Sequence, residues 1–152
     1  MTTDNDVDIL LVEDNPHDAE LTLRALKDRR LANHLAWVKD GAAALEYIFG
    51  GSIYESSPIR HTPKVILLDL NLPKVDGLDV LRRLKGDERT RTIPVVVLIS
   101  SAEEQDMAKS YQVGVNSYIV KPVDFENFSE AVANLGMYWL LLNQRPGPVS
   151  AK

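Results

Sequence analysis

The chain contains no cysteine, which excludes a disulfide framework and any zinc site built on thiolates. That absence fits a reducing cytoplasm, since disulfides persist in oxidising compartments. There is no excess of positive charge either. The 17 Lys and Arg face 22 Asp and Glu, a net charge of −5. The basic clusters Lys27-Asp28-Arg29-Arg30 and Arg82-Arg83 are broken up by acidic or apolar neighbours, so no basic stripe for a nucleic acid is expected. Long apolar runs are missing too. None approaches the roughly 18 residues needed to span a membrane. The polar, acidic start Met1-Thr2-Thr3-Asp4-Asn5-Asp6 lacks both the basic and the apolar region of a signal peptide. A soluble, cytoplasmic protein with neither nucleic-acid nor membrane partners is expected.

What is present suits one globular domain. The chain has 152 residues, 45% hydrophobic and 26% charged, enough for a single core. Four short runs rich in Val, Ile and Leu stand out: Ile9–Val12, Val65–Leu68, Val95–Ile99 and Tyr118–Val120, with a weaker one at His34–Val38. Continuous rather than alternating apolarity predicts strands buried on both faces of a parallel sheet. Between them run helical stripes: Ala19, Leu23 and Leu26; Ala42, Leu45, Ile48 and Phe49; Leu78, Leu81 and Leu84; Met107, Ala108 and Tyr111. Five strands alternating with five helices predict an α/β doubly wound sheet with helices on both faces.

Punctuation agrees with these boundaries. Asn15-Pro16 starts the first helix, Gly50-Gly51 ends the second, Asp76-Gly77 precedes the third, Gly86 closes it, and Pro94 opens the fourth strand. Ser52–Pro63 reads as a long surface loop. The last helix is predicted from Phe125 to Asn143, where Arg145-Pro146-Gly147-Pro148 follows. The expected organisation is one domain over residues 7–143 and a tail over residues 144–152.

In an open parallel sheet, ligands bind beyond the carboxyl ends of the strands. The polar residues there are Glu13-Asp14 after the first strand, Asp69 and then Asn71 after the third, Ser100-Ser101 after the fourth, and Lys121-Pro122 after the fifth. Clustered carboxylates repel one another and call for a cation. Oxygen-only ligands suit magnesium. Magnesium and an ammonium on one rim form a clamp for a transferring phosphoryl group, and a carboxylate nucleophile can carry that group covalently. Taken alone, Glu13-Asp14 reads as a solvated turn, Asp69 as a turn or cap, and Tyr118 as a strand packing residue. Their joint placement favours chemistry. His17, His34 and His61 are scattered and read as structural or solvated.

The segments Ile9–Asp14 (ILLVED), Val65–Pro73 (VILLDLNLP) with Asp76-Gly77, and Tyr118–Pro122 (YIVKP) resemble the receiver domain of two-component response regulators. The resemblance covers roughly residues 7 to 135. It implies the flavodoxin-like strand order 2-1-3-4-5. It implies Asp69 as phosphoacceptor, Asp14 as a direct magnesium (or manganese) ligand, Glu13 acting through water, Asn71 lending its backbone carbonyl, and Lys121 binding a phosphoryl oxygen. It further implies a cis Lys121–Pro122 bond and Tyr118 as the switch aromatic. The donor implied is a sensor histidine kinase, and the chain is then a phosphoacceptor rather than an enzyme with turnover of its own. With no output module following, signalling through protein contacts at the face of the fourth helix, fifth strand and last helix is expected. Ser110–Phe125 (SYQVGVNSYIVKPVDF) and the long loop before the third strand resemble the single-domain regulators paired with bacterial phytochrome kinases.

One position departs from the family. Receivers place Thr or Ser at the end of the fourth strand, where this chain has Ile99. Isoleucine has no hydroxyl to donate. Either a one-residue shift lets Ser100 supply it, or only the Ser100 backbone amide meets the phosphoryl group; the motif count favours the second. Ile99 is also the one feature supporting a degenerate receiver that serves for interaction only. A hydrolase with a nucleophilic aspartate is disfavoured, because Asn71 rather than Asp stands two residues on. Finally, Met137, Tyr138, Leu140 and Leu141 make the end of the last helix apolar nearly all round; such an end either packs within its own subunit or marks an interaction surface, and a homodimer through Tyr138, Trp139 and Leu142, with the tail reaching across, is the favoured expectation.

Overall fold

The computed structural model describes residues 8–27, 34–50, 59, 61–72, 76–100 and 117–137. Five strands, β1 (Ile9–Val12), β2 (Leu35–Val38), β3 (Val65–Asp69), β4 (Val95–Ile99) and β5 (Ser117–Val120), form one parallel sheet in the order β2-β1-β3-β4-β5. The described helices are α1 (Pro16–Lys27), α2 (Gly41–Phe49), α3 (Gly77–Lys85) and α4 (Phe125–Asn134). The helix expected around Met107–Tyr111 lies outside the described residues, as does most of the Ser52–Pro63 loop.

The pleat sorts each central strand onto two cores. Ile9, Leu11, Leu67, Val96 and Leu98 pack with Ala19 and Leu26 of α1 and Phe128, Ala131 and Val132 of α4. Leu10, Val12, Ile66, Leu68, Val97 and Ile99 pack with Ala44 and Ile48 of α2 and Val80, Leu81 and Leu84 of α3. Successive side chains point to opposite faces, so an unbroken apolar run feeds both layers at once. Burying each such side chain contributes roughly 1.5–3 kcal/mol relative to leaving it in water. The edge strand β5 departs from the expected burial on both faces. Only Ile119 is buried, while Tyr118 and Val120 are 40% and 46% exposed.

The helix ends follow their caps. Asn15 Oδ1 accepts from Asp18 N–H at the start of α1. Asp40 accepts from Ala43 N–H, and Gly50 closes α2 at φ 77°. Asp76 caps α3, and Asp124 forms a capping box with Asn127 at α4. His61 stacks on Tyr47 of α2 with centroids 4.2 Å apart, a packing role consistent with its structural reading.

The single helix expected from Phe125 to Asn143 is corrected: α4 stops at Asn134. Gly136 adopts φ 74°. Its N–H donates to Ala133 O and the Met137 N–H donates to Val132 O, the bonding pattern of a glycine-terminated helix end. Met137 then folds back into the α1 and α4 core, supplying the apolar contact that accompanies such an end. Tyr138, Trp139, Leu142 and the tail lie outside the described residues.

Candidate functional site

The sheet order reverses between β1 and β3, and the strand ends there open a crevice at the topological switch point. Glu13 and Asp14 leave β1 there, and Asp69 ends β3. Carboxylate oxygens of Glu13, Asp14 and Asp69 lie within 4.8 Å of one another. Asp14 is exposed, whereas Glu13 and Asp69 are each 1% exposed. Buried carboxylates are costly unless paired, and the pairing is present. Lys121 Nζ lies 2.8 Å from Asp69 Oδ2 and 3.0 Å from Glu13 Oε1.

Each group is held by its own local frame. The Glu13 carbonyl accepts from Trp37 Nε1 at 2.8 Å, its N–H donates to Val38 O, and its Oε2 accepts from Asn15 N–H. Asp69 Oδ1 accepts the Asn71 N–H at 3.0 Å, which turns the chain just after the strand and brings the exposed Asn71 beside the cluster. The N-terminus of α3 presses against that turn: a Cβ on Gly77 would stand 2.6 Å from the Asp69 carbonyl oxygen and from Leu70 Cα. Lys121 N–H donates to Ile99 O at 2.7 Å, and the Lys121–Pro122 peptide is cis.

The electrostatics follow from this packing. Burial pushes the Glu13 carboxyl up to about 8, aided by the hydrogen bond and charge of Asp69 and opposed by Lys121. A divalent cation acts in the opposite sense and favours the ionised forms. For Lys121, burial alone would lower the ammonium pKa. The hydrogen bond and charge of Asp69, followed by those of Glu13, outweigh it and raise it. All donors of the acidic cluster are hard oxygens with one exposed member, which fits a magnesium-like ion and not a thiolate-loving metal.

The residues singled out from sequence thus divide. Glu13, Asp14, Asp69, Asn71 and Lys121 meet at one rim. Ile99 reaches it by its backbone carbonyl only, because its side chain is 2% exposed in the α2 and α3 core. Ser100 follows at the rim, half-buried. Tyr118 lies on the edge strand β5 and is exposed. Two further residues belong to the site. Trp37 holds the end of β1, and Asp18 of α1 lies 3.4 Å from Lys121 Nζ. A carboxylate in the first turn of the helix that follows an acidic strand end is the signal that could have found Asp18; Trp37 has none in the sequence.

The model of the response regulator receiver domain matches residues 9–133. The chain belongs to the receiver domain family. This receiver is 44% identical over 140 residues to the "Probable methanogenesis regulatory protein FilR2" of Methanothrix harundinacea, covering 92% of this chain and 88% of that one. Among solved structures, the bacteriophytochrome response regulator AtBRR is 53% identical with a TM-score of 0.74, covering 86% of this receiver and 93% of that chain. The Mn²⁺-bound form of response regulator Rcp1 is 39% identical with a TM-score of 0.66, covering 87% and 93%. These likenesses bear out the receiver resemblance and its strand order.

Proposed function

We propose that this receiver accepts a phosphoryl group from a histidine kinase on Asp69 in a magnesium-dependent reaction in the cytoplasm, and passes the signal on through protein contacts. The observation that carries this is the 2.8 Å contact between Lys121 Nζ and Asp69 Oδ2 beside the Glu13–Asp14–Asp69 cluster. An Asp69 carboxylate oxygen attacks phosphorus, the P–N bond to the donor histidine breaks, and the imidazole keeps the electron pair and takes a proton. Lys121 moves from the carboxylate to a phosphoryl oxygen and offsets its charge. Glu13, Asp14, Asp69 and the Asn71 carbonyl would hold the cation, which supplies charge stabilisation to the equatorial oxygens. The chain contributes acceptance and slow self-hydrolysis, not turnover of a separate substrate.

The test is Mg²⁺-dependent labelling with acetyl phosphate, read by intact mass. Wild type should gain one phosphoryl group and Asp69→Asn none. Equal labelling of both, or of neither, would sink the assignment.

Likeness to AtBRR supports a finer reading, in which the donor is a bacteriophytochrome kinase. Phosphotransfer from a bacteriophytochrome kinase, timed against unrelated kinases, checks it: no kinetic preference removes it. We further propose a homodimer through Tyr138, Trp139 and Leu142, supported by the apolar sequence after Met137. The solution mass of Trp139→Glu, or of a chain cut after Gly136, should fall to that of a monomer; an unchanged dimer refutes this role.

A further inference from the structure

An ammonium carries three N–H donors, and Lys121 finds a different carboxylate for each. Asp69 lies at 2.8 Å, Glu13 at 3.0 Å and Asp18 at 3.4 Å. The first two belong to the acidic cluster. Asp18 does not; it stands in the first turn of α1 and is 34% exposed. Its backbone is fixed independently of Lys121. Asp18 N–H donates to Asn15 Oδ1, and its carbonyl accepts from Thr22 Oγ1, both at 3.0 Å.

Phosphoryl transfer changes the other two partners. Asp69 becomes the oxygen bridge to phosphorus, and Glu13 faces the cation. Asp18 alone is neither phosphorylated nor placed in the cation cluster. We propose that Asp18 is a positioning residue for Lys121, holding its ammonium on the α1 side of the site and aimed at the phosphoryl oxygens. This inference rests on the receiver reading above. During capture from acetyl phosphate, the Asp69 oxygen–phosphorus bond forms while the phosphorus–acetate bond breaks, and acetate leaves with the electron pair. Asp18 touches none of these atoms and acts through Lys121.

A mutant cycle tests it. Initial rates of Mg²⁺-dependent acetyl phosphate labelling are measured for wild type, Asp18→Ala, Asp18→Asn, Lys121→Ala and the Asp18→Ala, Lys121→Ala double variant, with thermal midpoints for each. Asp18→Ala should label roughly three- to tenfold more slowly than wild type. Asp18→Asn, whose amide oxygen still accepts, should fall between them, and it also serves if the alanine variant does not fold. In the Lys121→Ala background, Asp18→Ala should change the rate by no more than about twofold. An equal effect in both backgrounds, or no slowing, overturns the inference. Faster labelling of both Asp18 variants identifies a merely repulsive charge and overturns it too. If wild type itself is not labelled, the receiver reading fails and this inference with it; normal wild-type labelling with an unchanged Asp18→Ala rate defeats the positioning role alone.

Discussion

Lys121 Nζ sits 2.8 Å from Asp69 Oδ2, so the residue that would bind the phosphoryl group already holds the residue that would accept it. The same backbone that presents Lys121 donates its N–H to Ile99 O. The lysine is thereby tied to the end of β4 and to the acceptor at once.

Lys121→Ala should slow phosphoryl capture by about a hundredfold, the usual scale for losing one charged donor at a transferring group. The same change frees oxygens of Glu13 and Asp69 from a competing cation. Calorimetric Mg²⁺ titration should therefore show tighter binding; weaker binding would contradict the competition.

Gly77→Ala should destabilise the fold by about 1–3 kcal/mol, because the added methyl meets only backbone atoms of Asp69 and Leu70, at 2.6–2.8 Å. Thermal denaturation should show a midpoint lowered by several degrees, with labelling of Asp69 slowed as α3 is pushed from the strand end. A midpoint equal to wild type would mean that α3 shifts without cost.

Asp87 sets an acid limit on stability. Hydrogen bonds from Arg89, then from Arg83, hold its buried carboxyl well below the usual carboxylate range, against the opposing effect of burial. The folded form therefore binds the proton less readily than the unfolded chain. This stabilisation is present above the unfolded carboxyl pKa of about 4 and is lost as the pH falls below it. Urea denaturation of Asp87→Asn should show a loss of about 2 kcal/mol at neutral pH, shrinking relative to wild type toward pH 2. A gap that does not depend on pH would contradict this account.

Ile99→Thr should retain Asp69 labelling, because the acceptor, cluster and lysine are untouched. It should enlarge the change that beryllofluoride induces in hydrogen exchange along β5, provided the shorter side chain turns its hydroxyl out of the α2 and α3 core toward the rim that the Ile99 carbonyl reaches. The side chain is buried in the α2 and α3 core, so a modest stability loss accompanies the change. No gain in the β5 response would sink the idea that the missing hydroxyl limits the readout.

The rim residues were legible because parallel strands buried on both faces are unbroken apolar runs, and the first polar residue after each run marks its end. Glu13, Asp14, Asp69 and Lys121 were found that way. The end of α4 was not, because apolar residues continue at helical spacing from Phe128, Val132 and Leu135 to Trp139 and Leu142 in the sequence, across the break. Gly136 turns the chain while Met137 stays in the same core, so periodicity alone does not register the stop. Asp18 and Trp37 escaped for another reason: their partners, Lys121 and Glu13, lie 103 and 24 residues away in the chain.

The amino-acid sequence by itself determined the strand-ending residues, the alternation of layers and the acidic and basic residue types that reach the rim, since these depend on local pattern and side-chain type. The tertiary structure decided which carboxylates are buried, which of them share the Lys121 ammonium, and that Ile99 contributes a carbonyl instead of a side chain. Those are matters of a few ångströms between distant segments, and they are settled by strand order and packing.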